Sequence, residues 1–458
     1  MQFKSFLIAL GATVLYSHSY AQPIEGTLNW YNGEGAGMHT EKAYKKLKKK
    51  KSETVIVAVI DSGVDIEHED LKGKIWTNKK EVANNGIDDD QNGYVDDVHG
   101  WNFLGNKNGE NMNDARLEKA RIFNKLSPKF EGISESELED KTEFNLFQQV
   151  KEELENDRAR FEPYMEMVKS GSLGEDFTKY IKDQMEYNLN PDFDDRKIVG
   201  DDPDDFNDRD YGNSDVEGPD ALHGTHVAGI IGAVRGNNLG GDGVAENIQI
   251  MSLRAVPNGD EFDKDIALAI RYAVDNGAKV INMSFGKAYS PHGEWVYEAM
   301  AYADENDVLL VHAAGNDTKN IDVEPNYPTE FYDFQTKELI NILTVGASTK
   351  DKENLVASFS NYGTKEVDVF APGFEIYNTV PQSEYMNLQG TSMASPMVTG
   401  VAAMLKSYFP SLTMTDIKNA IINSVVVDDQ LTSKCNSAGL VNVLNAVKQC
   451  KKIEKSKK

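Results

Sequence analysis

Five apolar runs rich in β-branched residues constrain this chain more than any other feature: TVIVAVID at 54–61, NIQIMSLRAV at 247–256, GAKVINMSF at 277–285, DVLLVHAAG at 307–315 and INILTVGAS at 340–348. None shows the strict polar alternation of a half-solvated strand, so each reads as a strand covered on both faces, the situation of a parallel sheet. Between several of them lie helical patterns, such as DKDIALAIRYAVDNG at 263–277, where apolar residues recur at helical spacing up to a glycine stop. Strand and helix in alternation predict an α/β fold with a doubly wound, mainly parallel sheet flanked by helices, whose ligands bind beyond the carboxyl ends of the strands.

Residues 104–199 break that rhythm: they are rich in Glu, Lys and Asp, with Phe144, Phe147, Val150, Leu154 and Phe161 at helical steps. An acidic helical insertion is predicted there, inside one large domain over 51–450. A short segment, 22–50, precedes the domain, with a helix around EKAYKKL at 41–47, and a charged tail, KKIEKSKK at 451–458, reads as solvated. The excess of 74 Asp+Glu over 48 Lys+Arg, a net charge of −26, argues against a nucleic-acid-binding surface.

The opening MQFKSFLIALGATVLYSHSYA has an early lysine, an apolar core and a small-residue end at Ala21. It reads as a signal peptide over 1–21, hence export to the periplasm or medium, and no later run is long enough for a transmembrane segment. In an oxidising compartment Cys435 and Cys450 are expected to pair as a disulfide.

Four short stretches carry chemistry. Ser392, in LQGTSMASPMVTGVAAM at 388–404, stands where a serine ordinarily only caps a helix, but Gly390, Ala394 and Gly400 leave room for another segment to approach it. Asp61 closes the first apolar strand, His223 opens the apolar helix of DALHGTHVAGIIGAV at 220–234, and Asn316 ends HAAGN at 312–316. Each has a bland reading as turn or cap. Together they supply a hydroxyl nucleophile, an imidazole base, a carboxylate to orient it and an amide donor for an oxyanion, in the order Asp, His, Asn, Ser.

DSGVDIEHEDL, HGTHVAG, AAGN and GTSMASP closely resemble the motifs of subtilisin-like serine peptidases, and the resemblance spans roughly 50–447 outside the insertion. It implies that Asp61, His223 and Ser392 form a catalytic triad, with the Asn316 side chain and the Ser392 N–H as oxyanion hole. It also implies that Ser284, Phe285 and Gly286 pair with an extended substrate, and that Ala313, Ala314 and Gly315 form one wall of the primary specificity pocket. The expectation is a monomeric exported endopeptidase acting on polypeptides, with no cofactor for catalysis. The rival is a non-catalytic binding or scaffold protein of the same fold, which the retention of all four chemical groups disfavours. Two departures from the family pattern stand out. The stretch 22–53 is too short for an independently stable pro-domain, and the insertion joins the Asp61 strand to the His223 helix, as a rim or lid over the crevice or as a module packed away from it.

The acidic stretch NGIDDDQNGYVDDVHGWNF at 85–103 is a second signal. Asp88, Asp90, Asn92 and Gly93 match the opening of an EF-hand-type loop, Tyr94 offers a carbonyl and Asp96 follows, but His99 occupies the place of the closing glutamate. Asp97 is the substitute in a modified loop, and hard oxygen ligands at this density favour structural Ca²⁺ over transition metals, with an acidic solvated turn as the bland alternative. GDDPDDFNDRD at 200–210 reads as loop.

Overall fold

The structure, a computed structural model, describes residues 28–457. The signal peptide expected over 1–21 lies outside the described residues. In chain order the elements are α1 (Thr40–Leu47), β1 (Val55–Asp61), β2 (Gly100–Asn102), α2 (Glu118–Phe130), α3 (Thr142–Lys169), α4 (Glu175–Asp183), α5 (Leu222–Gly232), β3 (Ile248–Arg254), α6 (Asp263–Asp275) and β4 (Val280–Met283). They continue with α7 (Gly293–Glu305), β5 (Leu309–Ala313), β6 (Ile342–Ser348), β7 (Val369–Pro372), β8 (Ile376–Val380), β9 (Glu384–Leu388), α8 (Thr391–Tyr408), α9 (Met414–Ile422), β10 (Val426–Val427), β11 (Gly439–Leu440) and α10 (Val443–Ser456).

The nine-stranded sheet runs β10-β11-β7-β6-β5-β4-β1-β3-β2, parallel throughout except at β10–β11, while β8 and β9 form a separate hairpin. The β1 sequence shows why both faces must be covered. Val55, Val57 and Val59 join one core with Ile230, Ile231, Val398 and Leu405 of α5 and α8, whereas Ala58 and Ile60 join the opposite core with Ile266, Ile270 and Met300 of α6 and α7. Successive side chains alternate across the sheet and find apolar partners on either side, so no polar alternation is needed. Truncating Ile270 to alanine in this packed layer costs about 2–5 kcal/mol. β1 lies between β3 and β4, with the later strands stacked on the β4 side and β2 at the edge beyond β3, so the crevice of the sheet opens at the carboxyl end of β1.

The insertion builds its own small cores. Ile122, Leu126 and Phe130 of α2 pack on Phe144, Phe147 and Val150 of α3, and Leu154 and Phe161 pack on Ile181. Its return is pinned by Arg196, which bonds Asp265 of α6 at 2.7 Å and Asp201 at 2.6 Å in a buried network.

Two sequence expectations change at the C-terminus. The segment expected as a solvated tail is the last part of α10, where Ile453 packs against the core. The expected disulfide is absent: Cys435 and Cys450 are both free and buried. Cys435 belongs to the cluster of Leu355, Val367 and Phe370, while Cys450 faces the main core from α10.

Candidate functional site

Asp61 is delivered by the carboxyl end of β1, and its carbonyl accepts from Ala255 and Val256 beyond β3, which fixes the backbone there. Its side chain is 2% exposed, and Oδ1 accepts from the Ser62 N–H at 2.8 Å and from His223 Nδ1 at 2.7 Å. Close approach of α5 makes this contact possible. A Cβ on Gly224 would stand 2.0 Å from the Gly63 carbonyl oxygen, so only glycine fits beside His223. Burial pushes the imidazole toward neutrality, but the charge and hydrogen bond of Asp61 outweigh it and hold the His223 pKa above its ordinary 6.5. With Nδ1 committed to Asp61, Nε2 is the nitrogen left for a nucleophile.

Ser392 is the second residue of α8, and Gly390 takes the N-cap position with φ 153° and ψ 165°, a region open essentially to glycine. Ser392 therefore does not cap its helix. Its Oγ donates to the Ser284 carbonyl at 3.1 Å, and Ser284 Oγ donates back to the Ser392 carbonyl at 2.9 Å. Among the described residues no hydrogen bond joins Ser392 to His223. The link between helix and sheet is buried and polar: Asn282 of β4 donates to Ser284 Oγ at 2.9 Å and accepts from Ser395 and Thr399 of α8 at 3.0 and 2.9 Å.

Asn316 follows β5. Its Oδ1 accepts from the Thr391 N–H at 2.8 Å and hydroxyl at 3.0 Å, which turns Nδ2 outward as a donor. A methyl group placed on Gly390 would lie 3.4 Å from Asn316 Nδ2 and 3.6 Å from the Ser392 nitrogen. Two N–H groups thus face one small volume at the positive end of α8.

Ser284, Phe285 and Gly286 continue from β4 past Ser392. The Phe285 carbonyl accepts from buried His312 at 2.8 Å, whereas Gly286 makes no backbone hydrogen bond among the described residues. Opposite, Ala313 and Ala314 are buried and Gly315 donates to Thr391 Oγ1 at 3.0 Å. Between the two segments stands Asn326, which the sequence reading missed. Its Nδ2 donates to the Ala313 carbonyl at 3.3 Å and lies 2.5 Å from a Cβ built on Gly286 and 3.4 Å from one on Gly315. Nothing in the local string EPNYP marks this asparagine out from a turn residue.

The acidic loop does not gather the six residues read from the sequence. Asp88 accepts from the Asn92 and Gly93 N–H groups at 3.0 and 2.8 Å, Asp96 from Asn85 and Gly86 at 3.0 and 2.9 Å, and the Tyr94 ring packs edge-on against Trp101 and Tyr272. These groups shape turns. Carboxylate oxygens of Asp90 and Asp97 instead converge with one from Glu81, which the sequence reading omitted, all within 4.8 Å of one another. The Asp90 side chain is 4% exposed, and its Oδ1 and Glu81 Oε2 are buried without partners. Burial pushes Asp97 up to about 6, against hydrogen bonds from Tyr272, Asn92 and Asn78. Three hard oxygen donors, two of them, on Glu81 and Asp90, with orphaned oxygens, fit a Ca²⁺-type cation.

The family model described as Subtilase family matches residues 52–442. A thermophilic serine proteinase of Bacillus sp. (strain AK1) is 40% identical over 241 residues, covering 52% of this chain and 54% of that one. Thermitase of Thermoactinomyces vulgaris is 40% identical over 228 residues, 49% of this chain and 74% of its own. Among solved structures, one described as proteases from Pseudoalteromonas arctica PAMC 21717 aligns over 92% of this chain and 97% of its own with a TM-score of 0.55. At 22% identity that likeness speaks for the fold.

Proposed function

The chain belongs to the Subtilase family, and from that premise we propose that it is an exported serine endopeptidase that hydrolyses peptide bonds through an acyl-enzyme. The observation that carries this reading is the Asp61–His223 pair at 2.7 Å, its carboxylate buried, at the carboxyl end of β1, where neighbouring β4 runs on to Ser284 and so to Ser392 at the start of α8. In the proposed cycle His223 Nε2 takes the Ser392 proton as Oγ attacks the scissile carbonyl, and Asp61 stabilises the imidazolium. Asn316 Nδ2 and the Ser392 N–H hold the oxyanion, and His223 then protonates the leaving amine. Water, activated by the same imidazole, releases the acid.

The present bond from Ser392 to Ser284 adds a first step. The Ser284 carbonyl is the acceptor that an extended peptide's N–H would use, so substrate binding displaces the hydroxyl and frees it to turn to His223. Asn326, between the two substrate-facing segments, gives the primary pocket a polar amide and limits its depth.

Glu81, Asp90 and Asp97, with Asn92 beside them, are the residues we assign to a structural Ca²⁺, which supplies charge neutralisation to the loop and takes no part in catalysis.

Peptide hydrolysis by Ser392→Ala and Asn316→Ala, with thermal melts alongside, tests the peptidase reading. Losses of about 10⁶-fold and about 10²–10³-fold in kcat are expected with the fold kept, magnitudes that come from subtilisin. Unchanged turnover in Ser392→Ala, or a wild type that cleaves no polypeptide, returns the chain to the scaffold reading.

A further inference from the structure

Lys287 follows the substrate-facing segment directly, and its side chain turns inward to 2% exposure. Its backbone is paired with Tyr327 in both directions, at 3.1 and 2.9 Å, so the edge open to a peptide ends at Gly286. The ammonium donates to Glu118 Oε2 at 2.8 Å and to the Glu261 carbonyl at 2.8 Å, and it stands 2.9 Å from Asp263 Oδ1. Three acceptors use all three of its protons.

One of those acceptors comes from the insertion. Glu118 is the first residue of α2, its N–H donates to Asp260 at 2.7 Å, and Arg121, one turn on, donates to the Asp260 carbonyl at 2.7 Å and stacks over Phe262 at 4.0 Å. A second tether lies on α3, where Glu153 accepts from the Tyr289 hydroxyl at 2.7 Å and Gln149 donates to it at 2.8 Å. The insertion thus clasps the loops that follow both β3 and β4.

The space that Lys287 fills has apolar walls and an acidic end. Phe285, Ile266, Val296 and Tyr327 line a recess beside the edge together with Asp263 and Ser290, and about 10 Å³ of it remains, at or below the room one water needs. With the Lys287 side chain removed, it would be a pocket for a long basic side chain, whose stem the walls would cover and whose charge Glu118 and Asp263 would meet. A substrate does not expel the lysine cheaply, because that would leave buried Glu118 and Asp263 without their counter-charge.

We propose that Lys287, locked by Glu118 of the insertion, closes the acyl side of the cleft beyond the third residue from the cleaved bond, and so sets the length of peptide that the enzyme reads. This rests on the reading that a peptide pairs along Ser284, Phe285 and Gly286. Three residues of an extended strand match those three, and the fourth arrives opposite Lys287.

The test is a series of fluorogenic peptide amides with two, three, four or five residues before the cleaved bond and Gly or Lys at the fourth, assayed on the full chain. For the wild type, kcat/KM is expected to rise to the third residue and then stay level within about twofold, whether the fourth is absent, Gly or Lys. In Lys287→Ala, Lys over Gly at the fourth position is expected to gain about tenfold, with a smaller gain in the same direction in Glu118→Gln, which loosens Lys287 and leaves Asp263. A wild type that already prefers Lys about tenfold there overturns the inference alone, even where Lys287→Ala does not fold, and so does a folded Lys287→Ala with no gain. A wild type that cleaves none of the series overturns the peptidase reading and this inference with it.

Discussion

His223 is held by two opposing effects, burial against the Asp61 carboxylate, and the carboxylate wins. The sign has a kinetic consequence. In the proposed cycle the imidazole must be neutral to take the Ser392 proton, so a pKa above 6.5 moves the acid limb of kcat/KM to higher pH rather than lower. Asp61→Asn removes the charge: the limb is expected to move down, and kcat to fall by about 10⁴. A limb at or below 6.5 that Asp61→Asn leaves in place would show that the two groups do not act as a pair. At this scale the sequence was informative where a residue's neighbours in the chain are also its chemical context. Asp61 at a strand end, His223 and Ser392 at helix starts, and Asn316 after a strand were all legible. Asn326, Lys287 and Glu81 were not, because their surroundings come from distant segments: Gly286 and Gly315 around Asn326, Glu118 and Asp263 around Lys287, Asp90 and Asp97 beside Glu81.

Among elements, the buried strands were readable because both faces of the sheet are apolar, so β1 and β3 to β6 announce themselves as runs of Val, Ile and Leu. The exposed hairpin strand β9, EYMNL, carries no such signal. The acidic loop shows how spacing alone misleads: Asp88 and Asp96 occupy ligand places in the string but spend their oxygens on backbone N–H groups. If Glu81, Asp90 and Asp97 hold Ca²⁺, a chelator lowers the melting temperature, and calcium at about a hundredfold over its Kd restores about 2.7 kcal/mol. Asp90→Asn should abolish that difference. A melt that the chelator leaves unmoved would contradict a stabilising ion. The C-terminal misreading has a similar root, since the lysines of 451–458 hide Ile453, whose contact with the core keeps α10 helical to Ser456.

For the whole molecule, buried titratable groups set the pH range of stability. His226 and His312 are pushed down by burial to about 3 and about 4, so they stay neutral in the fold while the unfolded chain protonates them near 6.5. Stability from these two is present above pH 6.5 and is lost as pH falls toward 4 and 3. Burial raises Glu366 to about 7 and raises Glu261 as well, so their contribution is present below the ordinary 4.5 and is lost as pH rises toward neutrality. In Glu366→Gln the alkaline decline should be shallower by about 1.4 kcal/mol per pH unit; an identical pH profile of melting temperature would contradict the assignment. The catalytic assembly itself is tested most directly by intact mass after exposure to a fluorophosphonate probe, with Ser392→Ala as control. A single adduct on the wild type, absent from the control, is the expected result. A folded wild type that takes up no probe, or a control labelled equally, would contradict a Ser392 nucleophile activated by His223.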